Sequence, residues 1–210
     1  MYETKNRRRG VPLVVSAPSG GGKTTLCRKL IASLSDVHFS VSYTTRPLRG
    51  AEESGVDYFF VSNEEFDQLV EEGSFLEWAH VHGHRYGTHR RLTEELLSVG
   101  QDVLFDIDVQ GGRQIAEALE DAALLFILPP NRAILETRLR GRLSDSEEQI
   151  VRRLDAAHDE IKEAGFYDYW IINEDLDKAL EEMKSVLCAE RLKRSNKELL
   201  KKAFFMQEKY

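Results

Sequence analysis

Five runs of apolar, β-forming residues punctuate the chain, at positions 11–15, 38–43, 102–107, 123–128 and 169–172. Amphipathic helical patterns separate most of them. That alternation predicts an α/β fold, with a parallel sheet and helices on both faces. Ligands of such sheets bind beyond the carboxyl ends of the strands, so functional residues are expected there.

The rhythm changes between positions 44 and 88. Short strand-like pieces at 57–61 and 75–81 flank a helix. Ser62-Asn63-Glu64-Glu65 supplies a capping box for its start and Gly73 suits its end. This predicts an inserted lobe with its own small sheet. A further helix at about 92–99 closes at Gly100. Asn131, after the Pro129-Pro130 break, caps a helix running toward Arg140. Positions 141–146 interrupt that helix. Ser144 and Glu147 then form a second capping box, and the helix beyond carries Ile150, Leu154 and Ile161 before stopping near Gly165. Arg138, Arg140, Arg142 and Arg153 around the interruption predict a movable flap. The expected division is a core of 1–44, 89–137 and 156–210, a lobe of 45–88 and a lid of 138–155. The last helix runs from about Asp175 toward Phe205, with Leu176, Leu180, Met183 and Leu187 on one stripe. Its basic end (Arg191, Lys193, Arg194, Lys197, Lys201, Lys202) reads either as a solvated helix end or as an arm packing against a second subunit.

Composition narrows the class. At 41% hydrophobic and 31% charged residues, the chain of 210 residues suits one globular unit with small insertions. A formal net charge of −7 disfavours broad nucleic-acid coating but leaves room for a local basic pocket. Cys27 and Cys188 are too few for a disulfide framework. The basic stretch Lys5 to Arg9 is not followed by an apolar h-region of the kind a secretory signal needs, and no run of about 18 apolar residues occurs, so a soluble cytoplasmic protein is expected.

The chemistry begins at Leu13-Val14-Val15-Ser16-Ala17-Pro18-Ser19-Gly20-Gly21-Gly22-Lys23-Thr24-Thr25. A strand, a glycine-rich loop and a helix in that order form a P-loop. Backbone amides and the helix N-terminus cradle phosphate, Lys23 reaches terminal phosphate oxygens and Thr24 offers a hydroxyl to Mg²⁺. Ala17 replaces the motif's first glycine, and alanine serves wherever φ stays negative.

A second phosphate site is expected in the lobe. Ser42-Tyr43-Thr44-Thr45-Arg46-Pro47-Leu48-Arg49-Gly50-Ala51-Glu52 precedes Asp57-Tyr58, Phe75-Leu76-Glu77-Trp78 and Tyr86-Gly87-Thr88. Two guanidinium forks and two phenols suit a phosphate dianion. Two sites imply two phosphorylated substrates. Asp106 and Asp108, just past an apolar strand, point to metal or substrate duty. His80, His82, His84 and His89 lack acids or thiols at ligand spacing and read as surface or pocket-lining residues rather than a zinc site.

Together these motifs resemble guanylate kinases, P-loop enzymes that pass the γ-phosphoryl of ATP to GMP. The resemblance covers essentially residues 11–177. It implies that Arg46, Arg49, Tyr58 and Tyr86 hold the GMP phosphate, braced by Ser42 and Glu52. Glu77 and Thr88, beside Gly87 and with help from Asp108, would read guanine. ATP would lie on Ser19, Gly20, Gly21, Gly22, Lys23, Thr24 and Thr25, with Asn173 lining the adenine. Mg²⁺ would sit by Thr24 and Asp106, and Arg138, Arg142 and Arg153 match the lid arginines. Lys23, Arg46 and those three arginines are then the catalytic set. Leu48, Ala51 and Leu143 depart from the family's proline and glycines, from which altered rates are expected rather than lost activity. A carboxylate at Glu77 accepts from guanine N1–H and the N2 amine, whereas adenine presents a lone pair at N1. Two other readings remain: a protein-binding scaffold module, which would not need Lys23 and the lid arginines, and a ribose-bisphosphate kinase, which would not need Glu77 and Thr88.

Overall fold

The computed structural model describes residues 8–81, 83–141 and 147–200, apart from the side chains of 194–200. Five strands form the larger sheet: β1 (Pro12–Ser16), β2 (Val37–Phe39), β7 (Asp102–Asp106), β8 (Ala123–Leu128) and β9 (Tyr169–Ile172). All pair in parallel, in the order β2-β7-β1-β8-β9. Every residue of β1 is buried, as a central strand covered on both faces requires. One face packs on α1 (Lys23–Ser33) and α7 (Leu176–Leu200), where Leu26, Leu30, Met183 and Leu187 meet Leu13, Val15, Leu125 and Ile127. The other carries α3 (Arg90–Ser98) and α4 (Val109–Ala118), with Leu97 and Ile115 against Val14, Phe105 and Phe126.

The smaller sheet has the order β4-β3-β6-β5, formed by β3 (Tyr43–Thr44), β4 (Phe59–Phe60), β5 (Phe75–Val81) and β6 (His84–His89). Helix α2 (Asn63–Glu71) lies on it through Phe66, whose ring sits 4.7 Å from that of Phe75. Its capping box closes as the sequence requires. The Ser62 hydroxyl accepts from Glu65 N–H at 3.1 Å and the Glu65 carboxylate from Ser62 N–H at 2.7 Å.

One expected strand divides. The run 38–43 is not continuous: β2 stays in the large sheet, and the chain then crosses to pair Tyr43 with Phe59 and Gly87 in the lobe. The Ser40 N–H still donates to Leu104 O at 2.9 Å, so the crossing is confined to Val41 and Ser42. Tyr43 and Thr44, on the core side of a boundary at 45, thus belong to the lobe's sheet. Helix α3 starts earlier than the apolar pattern implies, because the His89 ring accepts from Arg91 N–H at 3.2 Å. Asn131 caps α5 (Arg132–Arg140) through Ile134 N–H at 2.9 Å. Helix α6 (Glu147–Lys162) follows, ending in a 3₁₀ turn at Glu163–Phe166. Arg142, Leu143, Ser144 and His82 lie outside the described residues, as does everything beyond 200. Among the described residues no helix is long and apolar enough to cross a membrane.

The basic run at the end of α7 is not uniformly a solvated face. Arg191 pairs with Asp36 at 2.7 Å and with Asp102 at 2.6 Å. Asp102 is wholly buried and also takes Arg8 at 2.6 Å and Val11 N–H at 2.7 Å. This knot ties Arg8, ahead of β1, and Arg191, on α7, to the amino-terminal edge of the sheet, opposite the P-loop.

Candidate active site

The loop after β1 needs glycine at two positions of left-handed backbone, Gly20 with φ +87° and Gly22 with φ +94°. Asn173, just past β9, donates its amide to Gly21 O at 2.8 Å, and a Cβ on Gly22 would lie 2.2 Å from that nitrogen. The Asn173 side chain thus holds the loop's shape. Arg138 on α5 joins the same brace, with Nη2 donating to Asn173 O at 2.7 Å. Its Nη1 is buried without a hydrogen-bond partner. Arg153 sits half-buried on α6.

Helix α1 opens at Lys23, whose ammonium lies 2.9 Å from Asp106 and 2.7 Å from Ile107 O. Asp106 ends β7, and the turn beyond it is pinned by the Ser16 hydroxyl donating to Ile107 O at 3.0 Å. Asp108 caps α4 through Gly111 N–H at 2.8 Å. Thr24 and Thr25 are exposed at the helix start. Thr24, Asp106, Ser42, Glu52, Tyr58 and Thr88 line one cavity of about 460 Å³. Lys23, Glu77, Tyr86 and Asp108 line a second of about 340 Å³, and the two share Ser42, Tyr58 and Asp106.

In the lobe, Arg46 is held by its neighbours on both sides. Arg46 is buried and meets Glu52 in a fork, at 2.8 and 3.0 Å. It lies over the Tyr58 ring, 5.2 Å from its centroid, and over the Phe60 ring at 5.7 Å. The Glu52 carboxyl is held below its usual range, first by the Arg46 hydrogen bond and then by the Arg49 N–H at 2.8 Å. The Arg49 side chain is exposed at the rim. Tyr58 and Tyr86 meet edge to face at 5.8 Å, and burial raises the Tyr58 hydroxyl above its usual pKa.

Glu77 owes its position to a bulge. The β5–β6 register slips between Phe75 and Glu77, so that Glu77 faces Thr88 across the pair. The Thr88 hydroxyl donates to Glu77 Oε1 at 2.7 Å, and both residues are buried. Gly87 is required beside them, since a Cβ would come within 3.0 Å of the Phe75 ring. Burial raises the Glu77 pKa to about 7, against the Thr88 hydrogen bond, which lowers it, while the Asp108 charge adds to the rise. Gly111 leaves room for this carboxylate, with Oε2 lying 3.3 Å from where a Cβ would stand.

The sequence pattern did not single out Gln114, which clasps the Trp78 backbone from α4 at 3.1 and 3.3 Å and fixes β5 beside Glu77. It also missed Glu160, a lone carboxylate on an amphipathic helix. Neither carries a local signature; both act through contacts distant in sequence.

A family model described as guanylate kinase matches residues 9–190. A guanylate kinase of Syntrophotalea carbinolica is 52% identical over 184 residues, covering 88% of each chain. One of Geobacter metallireducens is 50% identical over 185 residues, covering 88% of this chain and 91% of its own. The crystal structure of guanylate kinase from Anaplasma phagocytophilum superposes with a TM-score of 0.72 at 34% identity, covering 96% of this chain and 98% of that one. With its P-loop, its arginine-lined lobe and its bulge-set Glu77–Thr88 pair, this chain belongs to the guanylate kinase family.

Proposed function

We infer that the chain transfers the γ-phosphoryl group of ATP to GMP, giving ADP and GDP. The observation that carries this reading is that Lys23 on the core and Tyr86 on the lobe line one cavity, which shares Ser42, Tyr58 and Asp106 with its neighbour, while the Arg46 guanidinium lies over the Tyr58 ring. Glu77 lines the same cavity as Lys23 and Tyr86, and Thr88, from whose hydroxyl it accepts, lines the adjoining one.

Phosphoryl transfer asks the protein for positioning and charge rather than covalent chemistry. Lys23 and the amides of the loop hold the phosphate chain of ATP, Lys23 exchanging Asp106 for phosphate oxygen. Arg46, kept in plane by Glu52, presents its fork with Arg49 and the two phenols to the GMP phosphate. Ionised Glu77 accepts from guanine N1–H and N2, and Thr88 completes the base edge. Arg138 and Arg153, with Arg142 from the lid, offset the charge on the transferring group and exclude water. The buried, unpaired Nη1 of Arg138 supports that part, because such a group is costly unless a partner arrives. Asn173 serves ATP by shaping the loop, its amide being committed to Gly21 O. Nothing in this set reads a ribose 2′-hydroxyl, so dGMP is also a substrate.

Magnesium fits these residues. Thr24 and Asp106 offer hard oxygen donors to one cavity, and among the described residues no three His, Cys, Asp or Glu form a cage. That suits an ion that keeps waters and takes phosphate oxygens as ligands. When bound it neutralises charge on the β- and γ-oxygens. The core, the lobe and the lid are on this reading three bodies that close on the substrates. A panel of nucleoside monophosphates offered with ATP and Mg²⁺ tests the assignment: GMP and dGMP consume ATP, and equal consumption with AMP rejects the role of Glu77.

A further inference from the structure

Helices α5 and α6 do more than carry the lid arginines: they are packed directly on the phosphate loop. Leu135 and Leu139 of α5 form a buried cluster with Leu154 and Ala157 of α6. A Cβ on Gly20 would stand 3.0 Å from Leu135 and 3.1 Å from Leu139, so the cluster abuts the loop where glycine leaves space. One helical turn beyond Ala157 on the same face is Glu160. Its carboxylate Oε2 accepts from the Ser19 N–H at 3.3 Å, across 141 residues of sequence. Glu160 is half-buried and feels the Lys23 ammonium from α1 and the Asp108 carboxylate at the cap of α4. The open side of its cleft adds Asp159, Glu163 and Arg113.

A carboxylate is an anion at a loop built to bind anions. We propose that Glu160 is a displaceable anion on the phosphate loop: in the empty enzyme it holds the Ser19 amide, and the phosphate chain of ATP competes with it for that corner of the cleft. This rests on reading residues 17–25 as the ATP cradle. Competition makes Glu160 a positioning residue. It keeps the loop amide paired until substrate arrives, and its release loosens one tie between the loop and α6, the helix that carries Arg153. A carboxylate near a polyphosphate opposes it, so the contact weakens ATP binding while leaving the GMP site untouched. Burial raises the Glu160 carboxyl above its usual pKa, so the opposition fades as pH falls.

The experiment is calorimetric titration of ATP, inorganic tripolyphosphate and GMP, each alone, into the wild-type chain and into Glu160→Gln and Glu160→Ala. Glutamine keeps the shape and a carbonyl acceptor for Ser19 N–H but not the charge. Both variants should bind ATP and tripolyphosphate about fivefold tighter or more at pH 8. The gap between wild type and Glu160→Gln should narrow as the pH is lowered. Unchanged GMP affinity shows that the variants are folded. In turnover, the KM for ATP falls and the KM for GMP does not. Equal or weaker ATP binding by Glu160→Gln overturns the proposal and makes Glu160 a plain brace. Absence of ATP binding by the wild type, with GMP still bound, overturns the assignment of the loop itself and this inference with it.

Discussion

Guanine recognition should depend on pH in a way that can be calculated. Glu77 is buried, and that burial pushes its carboxyl pKa up to about 7. Only the ionised form accepts from both guanine donors, so protonation removes the binding-competent state and the apparent dissociation constant grows with the protonated fraction. With a pKa of about 7, the penalty is negligible at pH 8, about twofold at pH 7 and roughly tenfold at pH 6. The GMP phosphate adds its own loss near its second ionisation, at about pH 6. Glu77→Gln separates the two, since it binds GMP more weakly throughout and keeps only the phosphate's pH dependence. Calorimetric titration of GMP at pH 6, 7 and 8, without ATP, gives both slopes. Parallel slopes for wild type and variant would show that Glu77 does not read the base in its ionised form.

Protonated Glu77 can donate to adenine N1, so the preference for GMP over AMP in kcat/KM should shrink as pH falls from 8 to 6. A constant ratio in a coupled ADP-release assay opposes this. The same raised pKa has a cost for folding. Native Glu77 binds its proton up to about pH 7 and the unfolded chain only to about 4.5, so the stability it contributes is present below pH 4.5 and is lost as pH rises to 7. That amounts to about 3 kcal/mol, so Glu77→Gln should stabilise the empty protein against urea at pH 8 and not at pH 4.5. Gly22→Ala forces alanine to φ +94° against Asn173, and should raise the KM for ATP about tenfold or more with GMP affinity retained. Asp102→Ala breaks the buried pairing with Arg8 and Arg191 at the far edge of the sheet. It should lower unfolding free energy by about 3–5 kcal/mol with kcat unchanged. Arg138→Ala should lower kcat about 10³-fold if the arginine acts on the transferring phosphoryl group, and an unchanged kcat rejects that role.

What could be read from the sequence was what local chemistry encodes. The continuous apolar character of β1, the Ser62–Glu65 capping box, the Asn131 cap and the glycine-rich loop each leave a signature within a few residues, and each appears where expected. The crossing at Val41 and Ser42 left none, because one apolar run serves two sheets and only tertiary pairing divides it. The bulge that turns Glu77 toward Thr88 is likewise a property of two strands, not of either. Asn173 was singled out as lining the adenine only through the resemblance, and its grip on Gly21 O depends on where β9 falls beside β8. Arg191 looked like part of a basic tail because its partners, Asp36 and Asp102, are far away in sequence. Glu160 stayed hidden for the same reason.

The central claim is that two nucleotides meet across one cleft with their phosphates on opposing cradles. A crystal structure with ADP and GMP bound together tests it most directly. The account predicts the GMP phosphate within hydrogen-bond distance of Arg46, Arg49, Tyr58 and Tyr86, guanine on Glu77, and the ADP β-phosphate on Lys23 and the amides of Gly20 to Thr24. A GMP phosphate remote from Arg46 and Arg49, or guanine turned away from Glu77, would contradict it.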